Sequence, residues 1–228
     1  MQHREVAYRL LGGRGLEIGA LHEPARLPDT CQVTRFDVIS RDRAIELFPE
    51  IPAERIVPVD HLGDLDADGL AAFGDETLDF VIINHVLEHL ANPVKAVREV
   101  FRITRREGTV ILAVPDKRYT YDRAREPTTF EHLWTDYTND TRVNSDEHYL
   151  DFLRSAGPHV FLDPPERIPG DIQFSRERRE HAHVWTAESF REFLDECFAR
   201  LGIRARPLYE SVPTENTYEY FAAWRRET

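Results

Sequence analysis

The segment GLEIGA, at residues 15–20, decides how the rest of this chain is interpreted. Its apolar run predicts a short buried strand, and Glu17 and Gly19 lie where that strand ends. A glycine just past a buried strand lets a ligand approach the backbone closely, and an adjacent acid can bind a ribose or an amino group. The G-x-G-x-x-G dinucleotide pattern is absent, because the glycine-rich residues 12–15 precede the strand instead of following it.

Acidic residues also end the next two predicted strands, at Asp37 and Asp60. Ligands of open α/β sheets bind outside the carboxyl ends of the strands, so we expect Glu17, Asp37 and Asp60 to face one ligand. Three acids at successive strand ends suit the two ribose hydroxyls and the adenine amine of a nucleoside better than a pyrophosphate.

The remaining pattern predicts an α/β fold. Several strand candidates lack alternation between apolar and polar residues, which is typical of parallel strands covered on both faces. One helix is predicted from Asn92 and Pro93 with Gly108 beyond its end, and another from Thr186 to Gly202. A short connection makes the last two strands an antiparallel edge hairpin on an otherwise parallel sheet of seven. The predicted strands are 15–20, 33–38, 55–60, 78–84, 109–115, 203–209 and 218–224.

Length and composition limit the classes of protein. The 228 residues suit one domain, 1–228, and we find no apolar run that could span a membrane and no signal peptide. Cys31 and Cys197 lie in apolar patterns, as reduced cysteines of a cytoplasmic protein do. A net charge of −12 argues against a nucleic-acid partner. We therefore expect a cytoplasmic domain without membrane or nucleic-acid partners, and leave open whether it forms a homodimer.

Residues 116–182 form an insertion that is too long for an ordinary connection between a strand and a helix. It is rich in aromatic residues and histidines, and it leaves from the carboxyl end of the fifth predicted strand. We expect it to be a lid that binds the acceptor. The alternative is a surface decoration without a role in binding.

Three segments of the chain resemble the class I S-adenosylmethionine-dependent methyltransferases. They are LEIGA at 16–20, LDFVIINHVLEHL at 78–90 and GTVILAVP at 108–115. The resemblance implies a Rossmann-like fold, a methyltransferase activity and S-adenosyl-L-methionine as cofactor. The chain departs from the family pattern in the first motif, where a run of alternating glycines is reduced to Gly19 followed by Ala20.

Four further segments resemble a bacterial subgroup associated with glycosyltransferases and polysaccharide assembly. They are DKRYTYDR at 116–123, TTFEHL at 128–133, EHY at 147–149 and HAHVWT at 181–186. This resemblance implies a sugar or oligosaccharide O-methyltransferase. Because the chain also prefers arginine over lysine, it resembles the mycobacterial enzymes that modify methylmannose polysaccharides.

The resemblance implies cofactor-binding residues at four strand ends. The first motif would bind the amino-acid part of the cofactor, the second strand its ribose, the third its adenine, and the fourth its methionine part. Glu88 and His89 belong to the fourth motif, and either binding or a purely structural role is open for them. The predicted cofactor-binding residues, in that order, are Glu17, Gly19, Ala20, Asp37, Asp60, His61, Leu62, Asn84 and His85.

Methyl transfer to a sugar hydroxyl requires alignment of the reactants and removal of the hydroxyl proton. We predict His148 as the general base and Asp116 as a second catalytic residue. A divalent cation, most plausibly magnesium, is the alternative way to activate the hydroxyl. Histidine ligation would favour manganese or zinc instead, and the absence of a neighbouring cysteine argues against a structural zinc site. The predicted metal ligands are Asp116, Glu147, His181 and His183.

Three functions remain open from the sequence. The first is the sugar O-methyltransferase, and the second is a methyltransferase for a small phenol or amine, which needs less help from a base. The third is a non-catalytic protein that binds the cofactor or a carbohydrate within a biosynthetic complex. Fold alone does not decide among them, because function is a property of the site.

Overall fold

The computed structural model describes residues 2–162 and 164–227. A seven-stranded sheet with the order β3-β2-β1-β4-β5-β7-β6 organises them. The first five strands are parallel, and β7 runs antiparallel to both β5 and β6. This confirms the predicted α/β architecture and its antiparallel edge hairpin. The strands are β1 (Gly13–Ile18), β2 (Cys31–Asp37), β3 (His61–Leu62), β4 (Leu78–Asn84), β5 (Thr104–Pro115), β6 (Ala205–Ser211) and β7 (Glu219–Arg226).

Eight helices accompany the sheet within the described ranges. The central strands are buried because helices and loops cover both of their faces, as their unbroken apolar runs predict. No helix among residues 2–162 and 164–227 is long and apolar enough to cross a membrane. The helices are α1 (Gln2–Tyr8), α2 (Arg41–Leu47), α3 (Pro93–Ile103), α4 (Phe130–Thr138), α5 (Asp146–Ala156), α6 (Ile168–Glu177), α7 (Ala187–Leu201) and α8 (Pro213–Asn216).

The predicted third strand at 55–60 is wrong. Residues Ala53–Arg55 form a 3-10 turn, and the strand pairs only as Phe36 with His61 and Asp37 with Leu62. Pro58 lacks an amide proton for a ladder, which works against pairing over the predicted range. Asp60 therefore precedes β3 instead of ending it.

The helix predicted from Asn92 and Pro93, with Gly108 beyond its end, is α3, but Gly108 does not cap it. The helix begins as predicted, with the Asn92 side chain accepting from the amide of Lys95, but it ends at Ile103 and passes directly into β5. A Cβ atom at Gly108 would lie 2.8 Å from the Arg105 carbonyl oxygen and 2.9 Å from that of Asp79. Glycine is needed there because two backbone segments approach closely, and not because a helix ends.

The second predicted helix agrees with α7. The Thr186 hydroxyl accepts from the amide of Ser189, and Gly202 has a φ of 66°, the left-handed conformation that glycine adopts at low cost. The insertion before this helix contains α4, α5 and α6. Its two ends meet where Asp116 forms a parallel bridge with Trp185, so the insertion leaves and rejoins the sheet at one place.

Candidate functional site

Two adjoining cavities open at the carboxyl ends of β1, β2 and β4. The first has a volume of about 220 Å³ and a mainly apolar lining. The second has about 350 Å³ and a mainly polar lining. Gly19, His85 and His89 border both, so the two form one cleft with an apolar and a polar half. We call the halves the apolar cavity and the polar cavity.

Gly19 forms the turn between the two cavities. Its φ of 68° is left-handed, and its amide donates to the Phe36 carbonyl oxygen at 3.0 Å. A Cβ atom there would come within 2.5 Å of a Val86 methyl group. Both the conformation and the close approach require glycine. Ala20, the next predicted residue, lines the polar cavity.

Asp37 lies at the end of β2 and lines the apolar cavity. Its Oδ1 accepts from the amides of Val38 at 2.7 Å and Ile39 at 3.3 Å. Burial raises the pKa of this carboxyl group, and the two amide bonds act against that rise. Both bonds go to Oδ1, so Oδ2 is available to a ligand that carries hydroxyl groups.

The structure does not bring Asp60, His61 or Leu62 to the wall of the apolar cavity. The Asp60 carboxylate accepts from the Arg35 amide at 2.8 Å, Leu62 is exposed, and the His61 ring stacks on Phe36 with centroids 5.6 Å apart. These three residues miss the cavity because β3 begins only at His61 and ends at Leu62, later in the chain than the predicted strand at 55–60.

Sequence reasoning missed several residues of the apolar cavity. Gly63 and Leu65 line it in place of the predicted third group. A glycine directly after an apolar residue, the same signal as at Gly19, could have indicated Gly63. The turn at 177–180, after α6, also lines this cavity. Arg178 holds that turn against the end of α2 by donating to the Leu47 carbonyl oxygen at 2.6 Å. No local sequence pattern predicts this contact.

Glu17 lines the polar cavity and is almost completely buried. Its Oε1 accepts from the Ala25 amide at 2.5 Å, and its Oε2 lies 3.8 Å from Nε of Arg35. Burial raises its pKa, opposed by the Ala25 amide and the Arg35 charge. Glu17 therefore holds the loop after β1 in place as well as facing the cavity. Asn84 lies beside it and donates to the Tyr8 hydroxyl at 2.9 Å.

His85 stands at the junction of the two cavities with a strained φ of 54°. Its Nε2 lies 2.6 Å from Oε2 of Glu219, and its Nδ1 lies 3.4 Å from Oε1 of Glu88. Burial opposes its charge, but the hydrogen bonds to Glu219 and Glu88 outweigh burial and raise the pKa of His85 to about 9. Arg4 also pairs with Glu219, so the cluster joins α1 and β7 to the floor of the cleft.

His181 faces the polar cavity as part of a hydrogen-bonded pair. Its Nδ1 lies 2.6 Å from Oδ2 of Asp122, and its Nε2 lies 3.1 Å from the Tyr121 hydroxyl. Burial acts against ionisation of Asp122, but the bonds to His181 and Arg125 outweigh it and lower the pKa of that carboxyl group. Tyr121 and Asp122 lie in the 116–123 motif, but the sequence did not indicate their pairing with His181.

Asp116 is not brought to the cleft. Its carboxylate accepts from the amides of Arg118 and Ala187 and from the Arg118 guanidinium, with distances of 2.6–2.9 Å. Both oxygens are therefore occupied by groups that fasten the ends of the insertion together. This arrangement leaves no free oxygen for the catalytic or metal-binding role predicted for Asp116.

His148 and Glu147 line a third, open cavity of about 350 Å³ on the insertion. His183 is fully buried next to His148, with ring centroids 5.1 Å apart, whereas His181 lies in the polar cavity. The four predicted metal ligands, Asp116, Glu147, His181 and His183, are thus not brought together. The predicted base, His148, also lines a cavity other than the cleft.

The structure is that of an α/β protein with a cleft at the carboxyl ends of its parallel strands. Residues 15–112, under half of the chain, match the model described as a methyltransferase domain. No protein of curated function matches the chain. The class I fold and the methyltransferase-domain match over residues 15–112 support an S-adenosylmethionine-dependent methyltransferase enzyme.

Solved structures show the same fold at low sequence identity. A Rhodobacter sphaeroides protein named as a Zn-dependent alcohol dehydrogenase has a TM-score of 0.53 at 17% identity, over 95% of this chain and 84% of that one. The YcgJ protein of Bacillus subtilis has a TM-score of 0.51 at 13% identity, over 95% and 93%. A Thermotoga maritima S-adenosylmethionine-dependent methyltransferase has a TM-score of 0.50 at 15% identity, over 99% and 87%.

The described residues fit the cofactor that this class uses. The apolar cavity offers apolar side chains for an adenine ring and a free carboxylate oxygen, on Asp37, for ribose hydroxyls. The polar cavity offers charged and amide side chains, including Asn84, for an amino acid. One cleft thus provides both environments that S-adenosylmethionine requires.

Proposed function

We propose that this enzyme methylates a hydroxyl group of a sugar or oligosaccharide, with His181 as the general base and Asp122 as its positioning residue. The observation that carries the proposal is the His181–Asp122 pair in the polar half of the cleft. A histidine whose Nδ1 is held by a carboxylate keeps its Nε2 directed for proton transfer.

S-adenosylmethionine, when bound, supplies an activated methyl group. The chain has to hold this donor, orient the acceptor and accept one proton. In the proposal, Asp37 accepts hydrogen bonds from the ribose, and Gly19 allows the close approach of the ligand to the backbone. The turn at 177–180 covers the apolar cavity, which reduces the access of water.

The proton of the acceptor hydroxyl passes to Nε2 of His181. Tyr121 occupies this nitrogen at 3.1 Å, and the acceptor hydroxyl replaces it as the hydrogen-bond partner. Asp122 then stabilises the imidazolium, because its carboxylate lies 2.6 Å from Nδ1. A positioned base of this kind contributes roughly 10²–10⁴-fold to the rate of proton-transfer reactions.

The polar lining supports a polyhydroxylated acceptor over an apolar phenol. Charged side chains, among them Glu23, Glu88 and Arg4, surround this half of the cleft and can bind several hydroxyl groups. The resemblance of the insertion to enzymes of polysaccharide assembly supports the same class. Magnesium is not part of the proposal, because the side chains predicted to bind it lie apart.

Methyl transfer to a panel of oligosaccharides, phenols and amines tests the acceptor class. We expect methylated sugar products, and His181→Ala should lower turnover by ~10²–10⁴-fold while the affinity for S-adenosylhomocysteine stays unchanged. His159→Ala is the matched control, because His159 is an exposed histidine of the same insertion that does not line the cleft. Transfer only to phenols or amines would reject the sugar acceptor, and normal turnover of His181→Ala would reject the base.

A further inference from the structure

Two histidines of the insertion and one directly after it meet at a place that the proposed methyl transfer does not use. His132 lies on α4, His148 on α5, and His183 on the segment that returns to α7. One ring nitrogen from each lies within 4.8 Å of the others, and Nε2 of His132 is 3.1 Å from Nε2 of His148. Ligands of a tetrahedral zinc ion, at about 2.0–2.1 Å from the metal, are roughly 3.3 Å apart, so small side-chain rotations would close this cluster on an ion.

Neither ring nitrogen of His183 forms a hydrogen bond of good geometry with any group among residues 2–162 and 164–227, although the side chain is 0% exposed. Burying an unpaired polar ring is costly, and a histidine in such a place normally pairs with protein, water or metal. A hydrogen bond between His132 and His148 would satisfy those two rings and would leave His183 unpaired. A metal ion would satisfy all three rings at once.

The surroundings of the cluster suit a cation. The Ser145 hydroxyl lies 3.0 Å from Nδ1 of His148, which leaves Nε2 of that ring to face the cluster. Oδ2 of Asp136 lies 3.2 Å from Nε2 of His132 and adds negative charge.

Arg125 is the basic side chain that lines the open cavity beside the cluster. Its guanidinium lies 2.9 Å from Asp122 and 2.6 Å from Asp151, so two carboxylates compensate its charge. The open cavity on the insertion, which His132 and His148 line, connects the cluster to solvent. An ion can therefore reach the site without unfolding of the insertion.

We propose that His132, His148 and His183 bind one zinc ion, which fastens α4, α5 and the returning segment of the insertion to one another. The absence of a cysteine was the only sequence observation against a structural zinc site. The three imidazoles that the fold brings together favour a borderline metal of the zinc type over magnesium or calcium without a thiolate. The returning segment is also joined to the cleft, because the His183 amide donates to the Glu88 carbonyl oxygen at 2.9 Å. Zinc would thus hold the insertion beside the polar cavity.

The test measures zinc binding by calorimetry on chelator-treated, dialysed full-length protein. We expect one zinc ion per chain, and a loss of affinity of about 100-fold or more in His132→Ala and in His148→Ala. These two positions are chosen because their side chains are less buried than that of His183, so the variants should fold. Unchanged affinity for S-adenosylhomocysteine would verify the fold, and His159→Ala should bind zinc as the wild type does.

A second measurement follows the thermal transition with and without zinc chloride. Zinc should raise the melting temperature of the wild type and of His159→Ala, and should not raise that of His148→Ala. Wild-type zinc affinity in both His132→Ala and His148→Ala would overturn the proposal. So would loss of zinc binding in His181→Ala alone, since the ion would then belong to the group of Glu88, His89 and His181. Neither measurement uses turnover, so the outcome is independent of the acceptor and of the base.

Discussion

Replacing Asp37 should weaken cofactor binding by a predictable amount. Its Oδ1 is occupied by the amides of Val38 and Ile39, and only Oδ2 is free for the ribose. Hydrogen bonds to a charged group contribute about 1.5–3 kcal/mol each. One such bond lost therefore raises the dissociation constant of S-adenosylhomocysteine by roughly 10- to 150-fold, since 1.4 kcal/mol corresponds to a factor of ten.

Two substitutions separate the ligand bond from the shape of the loop. Asp37→Asn keeps an oxygen that can accept from Val38 and Ile39, so it should lose affinity through the missing charge while the melting temperature changes little. Asp37→Ala loses both functions, and it should also be less stable because the two amides lose their acceptor.

The matched control is Asp60→Ala. Asp60 is the strand-associated acid that the sequence predicted for the adenine, and it lies outside the apolar cavity with its carboxylate on the Arg35 amide. Isothermal titration calorimetry should give Asp60→Ala the wild-type affinity. Wild-type affinity in Asp37→Asn and Asp37→Ala, or a loss of affinity confined to Asp60→Ala, would refute the assignment of the ribose site.

Three further predictions concern stability. Gly19→Ala should destabilise the fold by ~1–2 kcal/mol or more, because a side chain is strained at its φ of 68° and collides with a neighbour, and urea unfolding measures this loss. Arg125→Met should cost about 1.5–3 kcal/mol in the same assay, because it removes the guanidinium partner of the buried Asp122 and leaves His181 as the remaining partner; a cost below about 1 kcal/mol would contradict this. The pKa of His85 rises from 6.5 to about 9 on folding, so its stabilising contribution is complete below about pH 6.5 and is lost as the pH rises through 9. Thermal unfolding from pH 6 to pH 10 should show this loss in the wild type, and the curve of His85→Gln should be flatter in that window.

The sheet could be predicted from the sequence where local and tertiary signals agree. The apolar runs of β1, β4 and β5 are continuous because helices and loops cover both faces. The limits of β4 agree with the prediction, whereas β1 lies two residues earlier and β5 begins at Thr104 instead of residue 109. β3 could not be placed, because a strand of two residues is defined by its neighbour β2 and not by its own composition. Because the strand was predicted to end at residue 60, Asp60 was expected to contact the adenine, whereas it precedes β3.

The insertion shows a different limit of sequence reasoning. Its histidines were recognisable as a group, and an alternating pair predicted that His181 and His183 share one face. In the structure His181 joins Asp122 at the polar cavity, and His183 joins two histidines on other helices. The packing of α4 and α5 decides these partners, and no spacing along the chain contains that information.

An acid at a strand end does not by itself indicate a ligand. Glu17, Asp37, Asp116 and Glu219 all lie at ends of strands, and the protein's own donors use them to different degrees. Asp116 has both oxygens bound by Arg118 and by a helix amide, and Glu219 is shared by Arg4 and histidines. At Asp37, which lines the apolar cavity, both amides bind the same oxygen, so the other oxygen has no amide partner. The number of protein donors within reach of each carboxylate, which only the folded chain determines, separates the acid proposed to bind the cofactor from those that hold the cleft together.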